Sequence, residues 1–374
     1  MKANNHKVCV NCVMDESDID ITFDDNGYCN YCLSFPLIEH YVFPDKNSRI
    51  KLDQLISEVM IAGKGREYDC VVGISGGADS SYLCFWLKKN FPELRILAVH
   101  VDAGWNSELA TANIEKLINF FKIDLFTKVI NWDEMRDIQL AFLKSQLANQ
   151  DTPQDHIIFS TINKIARQKK IKYILSGANF STESILPESW GYDAMDARLL
   201  KSVHHRFGQN KLREYSPYTL FDFFWDRLIV KIKTIRPLDF IRYDKKSAIN
   251  EMGKEFGWKD YGEKHYESKF TRFFQGYWLP RKFGFDKRLA HFSSLILSKQ
   301  LTRDQALLKL KRNDYASFQD DIVFIAKKLR LSNEDFIKLL NAAPKNFSDY
   351  PNNQTLIKIC HKALSAIEKI VGKL

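Results

Sequence analysis

The sequence predicts an α/β fold: a doubly wound parallel sheet, with a small metal ribbon in front and a helical region behind. Three observations carry this expectation. Between residues 69 and 256, short apolar runs alternate with segments of helical period. The first run breaks into a glycine-rich turn, Ser75-Gly76-Gly77-Ala78-Asp79-Ser80, and then a helix. Four of the seven cysteines stand in two C-x-x-C pairs within the first 32 residues.

In order, residues 50–61 have helical spacing and end at Gly63-Lys64-Gly65. A strand over 69–74 and a helix over 80–90 come next. A second strand, 95–101, closes at Asp102-Ala103-Gly104-Trp105-Asn106, before a helix over 110–121 and a third strand over 124–130. Helices are expected over 132–148 and 160–169. A fourth strand, 173–176, ends at Gly177-Ala178-Asn179, a fifth covers 234–237, and a helix spans 245–256. Beyond Gly257 the strand pattern stops. From 283 onward the chain reads as helices, one capped by Ser332 with Asp335 as its box partner. The expected division is a ribbon over 1–40, a nucleotide-type α/β domain over 41–258 and a helical region over 259–374. Ligands of such sheets bind beyond the carboxyl ends of the strands, where the turns at Ser75, Asp102 and Gly177 fall.

Composition narrows the class. The chain has 374 residues, 45% hydrophobic and 27% charged, as in ordinary globular proteins. No run of 18 apolar residues suggests a membrane span, and the first residues lack a signal-peptide core, so a cytoplasmic location is expected. The net charge of +9 suits nucleotide substrates, and would also suit RNA or an anionic surface. No block of five like charges forms a basic tail.

Cys9 and Cys12, with Cys29 and Cys32, make two knuckles whose thiolates converge on one point. This S4 donor set favours structural zinc. An iron–sulfur cluster and a disulfide framework compete, the latter disfavoured in a reducing compartment. All four positions being cysteine, no open catalytic site is expected. Cys70 and Cys84 read as small buried hydrophobes. Cys360 beside His361 carries no signal, because adjacent helix residues do not face each other.

The turn at 75–80 gathers backbone N–H groups, two hydroxyls and a helix N-terminus, which suits a polyanion such as pyrophosphate. It is neither a Walker loop nor a G-x-G-x-x-G fingerprint. It resembles the S-G-G-x-D-S loop of the PP-loop ATPases, of adenine nucleotide alpha hydrolase-like fold, which split ATP into AMP and pyrophosphate. Three further stretches sharpen the likeness: 177–192 (GANFSTESILPESWGY), 261–275 (YGEKHYESKFTRFFQ) and 279–288 (LPRKFGFDKR), with His291, Ser293 and Ser294 after them. With the ribbon and the turn at Asp102, they resemble the N-acetyl sugar amidotransferases of bacterial surface-polysaccharide and flagellar-sugar pathways. The resemblance covers residues 8–315. It implies a nucleotide-linked N-acetyl sugar as substrate and conversion of its acetamido group to an acetamidino group. ATP, Mg²⁺ and structural Zn²⁺ are the implied cofactors. Ammonia would come from a glutaminase partner resembling the subunits of imidazole glycerol phosphate synthase. No membrane or nucleic-acid partner is expected.

On this reading Ser75, Gly76, Gly77, Asp79 and Ser80 hold the departing pyrophosphate. Asp79 is the candidate Mg²⁺ ligand, with helix capping as the plainer role. The resemblance places adenine against the strand backbone up to Val101. Asp102 could meet ribose or a second metal, or simply close its turn. Gly177, Asn179 and Glu183 stand where related ATPases hold ATP or metal, although capping is an equal reading for the last two. Residues 264–288 supply the donors Lys264, His265, Lys269, Arg272, Lys282, Lys287 and Arg288 among Phe270, Phe273, Phe274, Tyr277 and Trp278. Most of these aromatics serve packing. Asp79, Lys264, Arg272, Lys287 and Arg288 are the candidate catalytic residues. The competing functions are a PP-loop tRNA-modifying enzyme, of thiolase or lysidine type, and a non-catalytic nucleotide-binding scaffold.

Overall fold

The computed structural model describes residues 6–262, 267–311, 318–360 and 362. Its centre is a five-stranded parallel sheet of order β3-β2-β1-β4-β5. The strands are β1 (Cys70–Gly73), β2 (Ile96–Asp102), β3 (Asp124–Val129), β4 (Tyr173–Leu175) and β5 (Lys233–Ile235). β1 lies between β2 and β4, with Val72 opposite both Ala98 and Leu175. Alternate residues of the central strands point to opposite faces. Val71, Leu97 and Val99 enter one core, with Met135, Phe142 and Ile157 of helices Trp132–Ser145 and Thr152–Gln168. Cys70, Val72 and Ala98 enter the other, with Leu52 and Ile56 of helix Lys46–Gly63 and Leu83 and Leu87 of helix Ala78–Asn90. Both faces are covered, which is why β1 and β2 read as continuous apolar runs. Cys70 and Cys84 are fully buried, as expected.

Three helices illustrate the departures from expectation. Helix Thr152–Gln168 begins eight residues before 160, because Pro153 occupies the first turn, where its missing N–H is not needed. Helix Trp132–Ser145 stops three residues short of 148, at Gln146, whose φ of 61° is left-handed. Helix Ala197–Phe207 was not anticipated. Asp196 caps it, accepting from the N–H groups of Arg198 and Leu199 at 3.0 Å each. Helix Trp132–Ser145 anchors the chain from 204 to 215. Asp137 accepts from Gln209 and Asn210 at 3.0 Å, and faces His204 Nε2 at 2.9 Å. Glu134 accepts from the N–H groups of Arg213, Glu214 and Tyr215. Burial alone would raise the Glu134 carboxyl, and these three donors outweigh it, leaving the group below its usual range.

The region beyond Gly257 is helical, with Ser332 capping helix Asn333–Asn341 through the Asp335 N–H at 3.1 Å. The two side chains also bond directly, Ser332 Oγ to Asp335 Oδ2 at 2.8 Å. Phe270, Phe273, Trp278, Ile325 and Phe336 share the core of Val71 and Leu97, so these helices pack on the sheet's own face. Among the described residues, no helix is long and apolar enough to cross a membrane.

Candidate phosphate-binding loop and adjoining cavity

The loop leaves β1 at Ile74 and enters helix Ala78–Asn90 with Asp79 in its first turn. Its amides converge on oxygens. Ser75 N–H points to Ser80 Oγ at 3.4 Å, Gly77 N–H to Ser75 Oγ at 3.2 Å, and Ala78 N–H to the Tyr261 hydroxyl at 2.9 Å. These three protein oxygens occupy positions that suit the oxygens of a bound polyanion. Gly76 has φ +82°, and a Cβ there would lie 2.4 Å from the Ala110 carbonyl oxygen. The turn after β4 is as close: a Cβ on Gly177 would meet Ser80 Cα and N at 2.9 Å. The turns at Ser75 and Gly177 therefore meet, and His100 links the first of them to the turn at Asp102. His100, buried near the end of β2, faces the Ile74 carbonyl with Nδ1 at 2.9 Å. A carbonyl only accepts, so Nδ1 carries the proton and Nε2 accepts from Asn106 Nδ2 at 3.0 Å.

Asp79 accepts a 2.5 Å hydrogen bond from Tyr243. Burial pushes the Tyr243 phenol well up, and the Asp79 charge adds to it, so Tyr243 remains a donor. Asp102 closes its turn, accepting from Gly104 N–H at 2.7 Å and Asn106 Nδ2 at 3.2 Å. Val101 is buried in the strand interior. Asn179 caps the short helix Phe180–Glu183, accepting from Thr182 N–H at 3.0 Å and donating to Gly177 O at 3.1 Å. These contacts are the capping and turn roles of Asp102 and Asn179.

A cavity of about 830 Å³ lies between the segment that follows the Gly177 turn and the helical region. Glu183, Lys287 and Arg288 line it, together with Trp190, Phe274 and His291. Arg288 forks onto Asp286, with Nε to Oδ1 at 3.0 Å and Nη2 to Oδ2 at 2.6 Å. His291 Nδ1 donates to Thr182 O at 3.2 Å. One stretch of chain joins loop and cavity. Glu267 Oε1 lies 3.0 Å from where a Gly77 Cβ would stand, and Lys287 comes twenty residues later in the cavity wall. Between them sits Asp151. Burial pushes its carboxyl well up, and the neighbouring Asp155 adds to this, while a Thr271 hydrogen bond and the Lys287 charge oppose.

Two of the other predicted donors go elsewhere. Arg272 pairs with Asp321 at 3.2 Å and lies over the Phe318 ring. Lys282 donates to Leu339 O at 2.9 Å and to the Gln146 side chain, and burial lowers its ammonium to about 8. Lys264 and His265 lie outside the described residues. Tyr243, Tyr261 and Glu267 were not assigned from sequence. Tyr261 and Glu267 stand inside a quoted motif, which was the available signal, whereas nothing local marks Tyr243.

The four ribbon sulfurs lie within 4.8 Å of one another. Cys9 and Cys32 sulfurs are 3.7 Å apart, and those of Cys12 and Cys29 3.6 Å. Zinc with bonds of about 2.3 Å to a tetrahedral sulfur set needs separations of about 3.8 Å, so the residues fit the ion. Asn11 Nδ2 donates to Cys32 Sγ at 3.3 Å, and Cys29 N–H to Cys9 Sγ at 3.3 Å, as thiolates require. Mutual hydrogen bonds among the sulfurs pull the Cys9 and Cys29 thiols down and push the Cys12 and Cys32 thiols up, as when a few protons are shared among four sulfurs. Purified protein should contain about one zinc per chain by elemental analysis, and Cys29→Ser should cut that content and lower the melting temperature. Stoichiometric iron with a visible charge-transfer band would instead identify a cluster.

Residues 267–364 match a family model described as the C-terminal domain of LPS biosynthesis protein WbpG-like proteins. No curated protein matches the chain. Among solved structures, it is similar to the NH3-dependent NAD synthetase from Campylobacter jejuni in complex with the nitrate ion. There the identity is 17% over 36% of this chain and 58% of that one, at a TM-score of 0.28. The chain thus spans less than two thirds of that protein. It is also similar to the U34-tRNA thiolase NcsA from Methanococcus maripaludis with its 4Fe-4S cluster: 12% identity, 87% and 88% coverage, TM-score 0.35. A third is the NAD+ synthetase from Burkholderia pseudomallei: 15% identity, 57% and 92% coverage, TM-score 0.27. Likenesses this distant carry no argument about activity. Residues 267–364, which supply part of the cavity wall, are similar to the C-terminal domain of WbpG-like LPS biosynthesis proteins, in agreement with the sugar amidotransferase resemblance of their motifs.

Proposed function

We propose that this chain is an ATP-dependent amidotransferase acting on the N-acetyl group of a nucleotide-linked sugar. The observation that carries the reading is the single stretch 267–288, which runs from the phosphate-type loop at Glu267 to the cavity wall at Lys287 and Arg288. On this reading a nucleotide on the loop and an acceptor in the cavity must come within reach of each other, and this stretch is the chain that links the two. The cavity offers aromatic faces for sugar or base, and charged rims for hydroxyls and phosphates.

An amide carbonyl is a poor electrophile, so the reaction must first make its oxygen a leaving group. The amide oxygen attacks the α-phosphorus of ATP, the bond to the β-phosphate breaks, and pyrophosphate leaves. Ammonia then adds to the activated carbon, and AMP departs with the former carbonyl oxygen. Loss of a proton from the added nitrogen leaves the acetamidine. Both steps are electrostatic, with no covalent enzyme intermediate. The amides of Ser75, Gly77 and Ala78 would exchange their present oxygens for those of pyrophosphate. Mg²⁺ would screen phosphate from Asp79, its candidate ligand. Lys287 and Arg288 would hold acceptor phosphates.

The cysteines support an outside source of ammonia. A glutaminase needs an activated thiolate. Four cysteines form the ribbon, and burial pushes the Cys84 thiol to about 12 and Cys70 well above its ordinary value. Only Cys360, half-buried near the end of the described residues, is left. A partner glutaminase and a cytoplasmic setting belong to the same proposal.

Incubation with ATP, an ammonium salt and a nucleotide-linked N-acetyl sugar labelled with oxygen-18 in its acetyl carbonyl should yield AMP, pyrophosphate and an acetamidino sugar. The label should appear in AMP. Glutamine alone should not replace ammonium until a glutaminase is added. Formation of ADP and phosphate would refute the proposal, and stimulation by tRNA but not by sugars would transfer it to tRNA modification.

A further inference from the structure

Both knuckles of the ribbon bond to segments that line the cavity, through residues set behind the lining side chains. At the first, Arg303 donates to Cys9 O and Cys12 O at 3.0 Å each. Val13 N–H donates to the buried Ser293 hydroxyl at 3.1 Å. At the second, Tyr31, between Cys29 and Cys32, donates to Asp18 Oδ2 at 2.5 Å. The other oxygen of Asp18 accepts from Ser189 Oγ at 2.5 Å, and Trp190 Nε1 donates to Ser17 O at 3.3 Å. Asp18 is only 1% exposed. A carboxylate so buried is tolerated only when its oxygens are satisfied, so its partners hold one arrangement. Apolar packing repeats the link: Ile185, Trp190, Ala290 and Phe292 share a core with Cys9, Cys12 and Cys29, and the same four line the cavity. The start of the phosphate loop, Ile74 and Ala78, packs in a different core.

We propose that the metal ribbon braces the cavity wall, and that Asp18 is the positioning residue that couples the metal-held fold to the lining segment 185–190. Filling of the metal site then governs how tightly the cavity holds its occupant and leaves ATP binding at the loop unchanged. The binding half of this statement rests on the reading of the cavity as the acceptor site; the bracing half does not.

The test uses the full chain and the variants Asp18→Ala, Asp18→Asn and Ser189→Ala. Amide hydrogen exchange is followed before and after a chelator removes the metal. Removal from the wild type should speed exchange over 185–192 by about three- to thirtyfold and leave 71–90 unchanged. Ser189→Ala should keep its metal, speed the same segment on its own, and shrink the further effect of metal removal there. Asp18→Asn, which keeps an acceptor for Ser189, should lie between wild type and Asp18→Ala. In parallel, UDP-N-acetylglucosamine serves as the probe sugar nucleotide. Asp18→Ala should weaken its binding about tenfold and leave ATP binding within twofold. If exchange over 185–192 ignores both metal removal and Ser189→Ala, the brace is overturned. If exchange responds but wild type takes up no sugar nucleotide, the brace stands and the acceptor reading falls.

Discussion

Asp79→Ala should abolish ATP cleavage, lowering AMP formation by roughly 10²–10³ or more, while the protein remains folded. Asp79 stands in the first turn of helix Ala78–Asn90, where a carboxylate favours the helix dipole by only about 0.3–1 kcal/mol. Its loss also leaves the buried Tyr243 hydroxyl without this acceptor, a cost of about 1–3 kcal/mol that lowers the melting temperature without unfolding the protein. What it removes is a negative group beside the loop that Tyr243 holds at 2.5 Å. Tyr243→Phe supplies the graded control. It keeps the carboxylate and deletes the hydrogen bond that orients it, so a loss of about tenfold is expected, in line with one hydrogen bond to a charged group. Single-turnover formation of AMP, with melting curves for both variants, separates chemistry from folding. Wild-type rates in Asp79→Ala would remove this residue from the mechanism.

Gly76→Ala should be nearly as damaging, by a different route. A left-handed residue with a Cβ is disfavoured by about 1–2 kcal/mol. Here the Cβ would also stand 2.4 Å from the Ala110 carbonyl oxygen and 2.9 Å from its Cα. Backbone cannot rotate aside as a flexible side chain can, so the loop must shift against helix Glu108–Phe121. Displacing the convergent amides by even an ångström is expected to cost about 10²-fold in turnover. Gly65→Ala separates the two effects. Gly65 has φ +76° and open space around it, so it carries the conformational term alone. It should lower stability by about 1 kcal/mol and leave turnover unchanged. Equal loss of activity in both variants would show that the contact with Ala110 does not matter.

Features that depend on neighbours along the chain are legible without a structure. Residues 69–74 are buried on both faces and read as an apolar run. The Ser-Gly-Gly turn must come next, because only glycine accepts the backbone of Gly76. The cysteine pairs converge because a two-residue spacing turns both thiols to one side. Periodicity, turn chemistry and donor spacing are local, and local patterns survive without a structure. Which side chain serves which site is fixed only by packing between distant segments. Tyr243 and Tyr261 reach the loop from more than 160 residues away. Asp321 claims Arg272, and two backbone carbonyls with Gln146 claim Lys282, so two of the basic residues expected at phosphate are used in packing. Helix Ala197–Phe207 was unforeseen, although Asp137 and Glu134 of a neighbouring helix hold the chain just beyond it. The cavity wall depends on Asp18 meeting Ser189, 171 positions on. In each case the physical reason is the same. A side chain's hydrogen-bond capacity is written in its type, but its partner is chosen by close packing of distant segments, where every buried polar group must be satisfied at once.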